Sequence, residues 1–389
     1  MQQQRPVPSS RLSRLAQLGR LGSGIAGGVI GEGLRQLGAG KRPTAYELLL
    51  TPSNARRLAA RLSEMRGAAM KIGQLLSMDS GDILPEPLPE ILSRLREQAH
   101  PMPLGQVAEV LDRAWGTGWK SRFRRFRFTP LAAASIGQVH EAETRDGRRL
   151  AIKIQYPGVA RSIDSDLDNV VSLLRLFRLL PPELEIGALL TEAKSQLHME
   201  ADYLLEAEQL RTYASHLGAE PGLRVPAVAE DLTAKDVLAM ELVDGEPIET
   251  LSGASRATRD RVARRLTRLA LCELFDWRLM QTDPNFANFR YRPAEDQIVL
   301  LDFGATRRFD PSRVEAFRAL VEATLGDDTA AVAETAAAVG YLSPDDAPAY
   351  RRAIVDIVRA AAEPARYRGA YDFGAADLSE RLSRHVADM

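Results

Sequence analysis

Asp283, Asn288 and Asp302 are oxygen-bearing side chains in a telling order, in QTDPNFAN at residues 281–288 and DFG at residues 302–304. Metal-assisted phosphoryl transfer uses such a trio: an aspartate handles the proton of the attacking oxygen, an asparagine five residues later holds a metal, and a second aspartate keeps metal on the phosphates. Asp283 is therefore a candidate catalytic group, and Asn288 and Asp302 are candidate metal ligands. Residues 289–301 read as a strand (FRYR), a polar turn at 293–296 and a second strand at 298–301. A hairpin of that kind returns residue 302 to the end where residue 288 stands. Either tripeptide alone is an ordinary turn signal; the two in order at this separation are far more specific.

Phosphates also need a cover and a cation. Residues 130–158, PLAAASIGQVHEAETRDGRRLAIKIQYPG, read as strand, tight small-residue loop, strand, turn at 145–147, strand. This is the layout of a kinase amino-terminal lobe, in which a small-residue loop covers the phosphates and a strand lysine, here Lys153 in LAIKI, pairs with them. Without that hairpin, AIK would be a commonplace edge strand. Ala132, Ala133, Ala134 and Ser135 stand where glycines would be expected, leaving only Gly137. Alanine does not freely adopt positive φ, so this nucleotide-covering loop is expected to be stiffer and to grip phosphates differently. A helix glutamate must pair with the lysine. In a helix read over 189–213, Glu200, Asp202 and Glu206 spread around more than one face, and Glu206 or Glu200 is the candidate. Strands at 225–228 and 237–242 lead into Val243-Asp244-Gly245, a linker between lobes whose backbone, around Glu241 and Val243, is expected to hold adenine; Pro226 confines the first strand to an edge.

The 389 residues suffice for two or three domains, and a hydrophobic fraction of 45% gives ample core. With 51 basic and 52 acidic residues, no whole-chain field points to nucleic acid. The single cysteine, Cys272 in LALCELF, excludes an internal disulfide framework and a cysteine zinc site; it reads as a buried thiol in a reducing compartment. No apolar run reaches the roughly 18–20 residues that span a bilayer, and the N-terminus lacks a secretory apolar core.

Residues 1–42 carry Arg5, Arg11, Arg14, Arg20 and Arg35 against one acid, Glu32. Leu12, Leu15, Leu18, Leu21, Ile25 and Val29 share a helix face. Such a basic amphipathic helix suits a membrane interface, packing on its own protein, or a transit peptide. Gly24, Gly27, Gly28 and Gly31 weaken a helix in water but permit close contact in lipid. Residues 58–95 read as two helices around LLSMDSGDILPEPLPE, with Lys71 and Gln74 in the first, followed by short helices at 91–95 and 107–115. An apolar helix at 257–275 leads into the Asp283 loop, and 314–325 and 350–362 are alanine-rich helices.

Six motifs, in order, resemble the UbiB (ADCK) family of atypical kinases: KIGQ at 71–74, AAASIGQVH at 132–140, AIKIQYPGV at 151–159, EADYLLEAE at 200–208, TDPNFAN at 282–288 and DFG at 302–304. The resemblance covers nearly the whole chain from residue 58. It implies an α+β, two-lobed protein-kinase-like fold with a family-specific N-terminal helical extension. The layout expected is a basic amphipathic segment at 1–57, a KxGQ extension at 58–125, an N-lobe with a helical insertion at 126–245 and a helical C-lobe at 246–389. It further implies that Lys71 and Gln74 belong to a KxGQ motif folded over the site. By the same resemblance Glu200 and Asp202 match the ExD motif beside that lysine, and Glu206 matches the glutamate expected to pair with Lys153. In the family it resembles, an alanine-rich loop is a hallmark linked to nucleotide selectivity and suppressed autophosphorylation. TDPN replaces the wider family's DPHPGN, as in the branch of ubiquinone-biosynthesis ATPases, and Asn285 leaves no imidazole in the loop.

The resulting expectation is an ATP-binding, magnesium-dependent ATPase or atypical small-molecule kinase supporting ubiquinone biosynthesis at a membrane surface. Its expected partners are membrane lipids or quinone precursors and ubiquinone-biosynthesis enzymes, not nucleic acid; the oligomeric state is left open, a homodimer included. The expected location is the cytoplasmic face of a bacterial inner membrane or the mitochondrial inner membrane. Thr282 stands where an HRD arginine would, and no APE-like anchor follows DFG, both of which argue against an ordinary protein kinase. Two rivals stand beside it: a protein kinase acting in trans, and a nucleotide-gated binding module without significant turnover.

Overall fold

A computed structural model describes residues 52–79, 101–180, 186–218, 220–283, 285–326 and 328–387. The amphipathic segment expected at 1–42, the proline-rich break at 85–89 and the helix expected at 91–95 lie outside the described residues. The chain divides into two compact units: Met1–Thr250 with Asn285–Ala305, and Leu251–Pro284 with Thr306–Met389.

The first unit is built on an antiparallel sheet. Strands β1 (Phe123–Phe126), β3 (Gly137–Thr144), β4 (Arg149–Gln155) and β6 (Val237–Glu241) lie in the order β1-β3-β4-β6, and the short β2 (Ala132–Ala133) pairs with the start of β3. The turn joining β3 to β4 contains Gly147 at φ +91°, a conformation that favours glycine. Period-two alternation then sorts the side chains of β4. Leu150, Ile152 and Ile154 enter a core with Val107, Val110, Leu111 and Trp115 of helix α3 (Leu104–Trp115) and with Trp119 and Phe123. Ala151, Lys153 and Gln155 alternate with them and so face the other side. Helices α1 (Pro52–Glu64) and α2 (Arg66–Asp79) precede the sheet. The first helix of the KxGQ region is thus interrupted at Met65, where the sequence pattern runs on unbroken.

Helix α4 (Val159–Leu176) follows β4. The single helix expected over 189–213 is two, α5 (Ile186–Glu200) and α6 (Tyr203–Leu217). The cause is Asp202. Its carboxylate accepts from the Leu204 and Leu205 amides at 3.1 Å, an N-cap that starts a new helix although the flanking residues would continue the old one. The strand expected at 225–228 is reduced to an isolated bridge between Val228 and Met240, after β5 (Leu223–Arg224).

A second sheet has the order β5-β10-β9-β7, with β7 Glu246–Pro247, β9 Phe289–Arg292 and β10 Gln297–Leu300. The hairpin read from the sequence is present, Phe289 opposite Leu300 and Arg292 opposite Gln297.

In the second unit, helix α7 (Arg256–Leu271) passes into a π-helical turn at Cys272–Trp277 and then strand β8 (Leu279–Gln281), which pairs with β11 (Thr306–Arg308). Cys272 is half-buried, not buried as its apolar run suggested, because the π turn rotates the helix faces and leaves Glu273 as the buried residue there. Helices α8 (Pro311–Leu325), α9 (Thr329–Val339), α10 (Pro348–Ala361) and α11 (Leu378–Ala387) complete it around Leu320, Val332, Ala336, Val339 and Val355. Among the described residues no helix is long and apolar enough to cross a membrane.

Candidate active site

Lys153 projects from the face of β4 opposite the α3 core, and Nζ donates to both carboxylate oxygens of Glu206 at 2.8 Å. Glu206 lies in the first turn of α6, so the Asp202 cap that starts the helix also fixes the glutamate's height along it. Burial alone would lower the Lys153 pKa, but the Asp302 and Glu206 carboxylates outweigh it and hold the ammonium above the usual lysine range. Burial pushes the Glu206 carboxyl up to about 7 against the opposing pull of Lys153.

Asp302 comes to the same place from the hairpin. The Leu301 amide donates to the Asn288 carbonyl at 3.0 Å, so residues 288 and 301 face each other at the open end of β9 and β10. Asp302 follows directly. One of its oxygens accepts from the Gly304 amide at 2.9 Å, and the other lies 3.9 Å from Lys153 Nζ. Burial would raise its pKa, yet Lys153 and the Gly304 amide hold it below the usual range, so it is a carboxylate. Phe303 is buried and its ring meets Tyr213 at 4.5 Å. Tyr213 and Glu206 are seven residues apart on α6, two turns along one face, so one helix presents the lysine's partner and anchors the DFG segment.

The alanine-rich loop is the tip of the β2–β3 hairpin. Ala132 pairs with Val139 and Ala133 with Gln138, the Ala134 amide donates to the Gly137 carbonyl at 2.9 Å, and Ser135 and Ile136 form the tip. None of Ala132, Ala133, Ala134 and Ser135 takes a positive φ, so the hairpin is closed without the backbone freedom that glycines would give. Gly137 is required for space: a Cβ there would lie 2.3 Å from the Ile154 carbonyl oxygen and 2.9 Å from the Tyr203 hydroxyl.

Helix α2 lies against this tip. A Cβ on Gly67 would stand 3.0 Å from Ile136 Cγ2 and 3.1 Å from the Ser135 carbonyl oxygen. One turn on, buried Lys71 donates to Glu200 at 2.9 Å, and the other Glu200 oxygen accepts from the Ser135 hydroxyl at 2.8 Å. Gln74 is half-buried one turn beyond Lys71. Glu200 and Asp202 therefore do different work, since Glu200 ties α2 to the loop while Asp202 is committed to the helix cap.

At the end of β6, the Glu241 carboxylate accepts from Arg224 at 2.5 Å, the Glu241 amide donates to the Ala227 carbonyl and the Leu242 amide to the Arg149 carbonyl. Among the described residues no backbone carbonyl accepts from the Val243 amide. Asp283 belongs to the second unit, two residues beyond β8, and is half-buried. The residues that sequence reasoning missed are Tyr203, Tyr213 and Gly67. The one signal available was the aspartate at 202, a good N-cap residue, which would have placed Tyr203 and Glu206 in a first turn.

Residues 94–336 match the ABC1 atypical kinase-like domain. The chain is 39% identical to the Saccharomyces cerevisiae protein named atypical kinase COQ8, mitochondrial, over 98% of this chain and 77% of that one. It is 38% identical to the Rattus norvegicus atypical kinase COQ8B, mitochondrial, over 97% of this chain and 72% of the relative. Among solved structures, the complex of Rv3197 with erythromycin from Mycobacterium tuberculosis superimposes with a TM-score of 0.56 at 29% identity, covering 86% of this chain and 90% of that one. A kinase-like fold with a strand lysine on a helix glutamate defines the class, that of ATP-using phosphoryl-transfer enzymes. Within that class the chain belongs to the ABC1 (UbiB) family of atypical kinases.

Proposed function

We propose that this ATP-using atypical kinase works as a magnesium-dependent ATPase or small-molecule kinase in ubiquinone biosynthesis, at a membrane surface. The observation that carries the proposal is the Lys153 ammonium held between Glu206 and Asp302, with Asn288 at the same hairpin end as Asp302. Asp302 and Asn288 supply hard oxygen donors, and among the described residues no group of three or more His, Cys, Asp or Glu is placed to hold a metal unaided. That donor set fits magnesium, which needs only one or two protein oxygens when phosphates and water complete its shell. When bound, the metal neutralises charge on the phosphates. In this reading Lys153 binds the phosphate chain, Val243 receives the adenine edge, and Asp283 orients the attacking oxygen.

The names of the COQ8 relatives support the pathway, and the word mitochondrial in those names supports an organellar or related bacterial membrane as the place of action. Lipids or quinone precursors and other biosynthetic enzymes are the proposed partners. A second reading, a nucleotide-gated binding module, is favoured by one observation: Glu200 joins the α2 lysine to the loop tip, so a nucleotide that moves the tip also loosens α2.

Magnesium-dependent ATP turnover by wild type and Asp302→Asn decides between them, measured with and without anionic liposomes and a phenolic quinone-precursor mimic. Turnover that rises with lipid and vanishes in the variant is expected. ATP binding without turnover under every condition would reject the enzyme reading in favour of the gated module.

A further inference from the structure

Tyr203 is completely buried, and among the described residues its hydroxyl has no hydrogen-bond partner. A buried hydroxyl without a partner is costly, and a phenylalanine would fill the same space without that cost. Its position is fixed from three sides. As the first residue of α6 it follows the Asp202 cap directly. Its ring lies under Lys153 Nζ, 5.1 Å from ring centroid to nitrogen, a cation–π distance. Its hydroxyl reaches the point where the loop passes into β3, 2.9 Å from where a Cβ on Gly137 would stand. The phenol therefore sits between the strand lysine and the base of the alanine-rich loop.

The surroundings decide what the hydroxyl can be. Burial raises its pKa, as do the carboxylates of Glu206, Asp302 and Glu200, so it keeps its proton. A protonated phenol can donate, and of the carboxylates that act on it both Glu206 oxygens accept from Lys153, the Glu200 oxygens from Lys71 and Ser135, and one Asp302 oxygen from Gly304, while the other Asp302 oxygen lies 3.9 Å from Lys153 Nζ. Among the described residues no acceptor reaches it. Resting on the reading that a nucleotide lies against Lys153 beneath the loop, we propose that the Tyr203 hydroxyl donates to the phosphate chain beyond the α-phosphate. Tyr203 is then a phosphate-contacting residue that discriminates di- and triphosphates from monophosphates. Because the hydroxyl is sealed under Gly137, the contact forms as the hairpin tip lifts off α6, which also parts Ser135 from Glu200.

The test is Tyr203→Phe in the full chain, with magnesium, by displacement of a fluorescent ATP analogue with ATP, ADP and AMP, alongside thermal unfolding without nucleotide. Expected are an unchanged or higher melting temperature, affinity for ATP and ADP weaker by about tenfold, the size of one hydrogen bond to a charged acceptor, and AMP affinity within twofold of wild type. Wild-type affinity for all three in the variant would overturn the proposal. So would a lower melting temperature with an equal loss for all three, which would make the hydroxyl a structural group. If wild type itself displaces no analogue with ATP, the nucleotide reading fails and this proposal falls with it, an outcome separate from a variant that binds normally.

Discussion

The first unit contains two lysine–glutamate contacts of nearly equal length, Lys153 to Glu206 at 2.8 Å and Lys71 to Glu200 at 2.9 Å. Their surroundings differ. Glu206 has no side-chain exposure, gives both oxygens to one ammonium, and stands in the first turn of a capped helix that Phe303 and Tyr213 pin at its other end. Glu200 is 15% exposed, ends its helix, and divides its oxygens between Lys71 and Ser135. The length of an ion pair therefore says little about its role. A pair whose carboxylate is sealed leaves a buried charge when it loses its lysine, whereas a partly exposed carboxylate with divided partners can exchange them. The first arrangement suits a fixed part of a site and the second suits a part that opens.

Removing Lys153 should have the largest effect. Lys153→Ala strands the Glu206 carboxyl and is expected to destabilise the protein by about 3–5 kcal/mol as well as abolish ATP binding. The loss should depend on pH. Folding raises the Glu206 pKa from 4.5 to about 7, so its favourable contribution is full below about 4.5 and is lost as pH rises through 7. Without the ammonium that pKa rises further, so the deficit of the variant should be larger at pH 8 than at pH 5. Urea unfolding of both proteins at the two pH values measures it. An equal deficit at both would mean that the glutamate is not the stranded group.

How far this contrast was legible in the sequence follows from what local patterns encode. The β3–β4 and β9–β10 hairpins were readable because alternation and turn residues mark them, and the second hairpin shows why residues 288 and 302 are fourteen apart. Lys153 could be singled out on its strand. Choosing between Glu200 and Glu206 could not be done from spacing, since residues 189–213 read as one helix while Asp202 divides them; the family resemblance pointed to Glu206, and the structure pairs it with Lys153. Asp202 could have placed Tyr203 in a first turn but not marked it as functional, because a tyrosine at the start of a helix is unremarkable until the fold sets a lysine above its ring and a glycine at its hydroxyl. Cys272 misled for a related reason, since an apolar run does not reveal a π turn.

Lys71→Ala probes the other side of the comparison. Loss of a contact to a partly exposed carboxylate, with Glu200 still held by Ser135, is expected to cost about 1–2 kcal/mol, well below the Lys153 variant. The larger consequence should be local: faster amide hydrogen exchange in the hairpin tip at residues 135 and 136, which α2 meets at Gly67, and faster association of ATP. A stability loss matching that of Lys153→Ala would erase the distinction between a fixed pair and an exchangeable one.

The smallest effect is expected from Ser135→Ala. It removes one hydrogen bond to Glu200 and leaves the hairpin closed by the Ala134 amide on the Gly137 carbonyl, so about 0.5–1.5 kcal/mol is at stake. Its value lies in combination with Lys71→Ala, because the two residues do not touch in any bond described above except through Glu200. If Glu200 is the bridge, removing one partner frees it to swing toward solvent and weakens what the other contributes. The double variant should then cost less than the two single variants together, by at least about 0.5 kcal/mol. Additivity within about 0.3 kcal/mol would show two independent contacts that happen to share a carboxylate, and α2 and the loop tip would have no common latch.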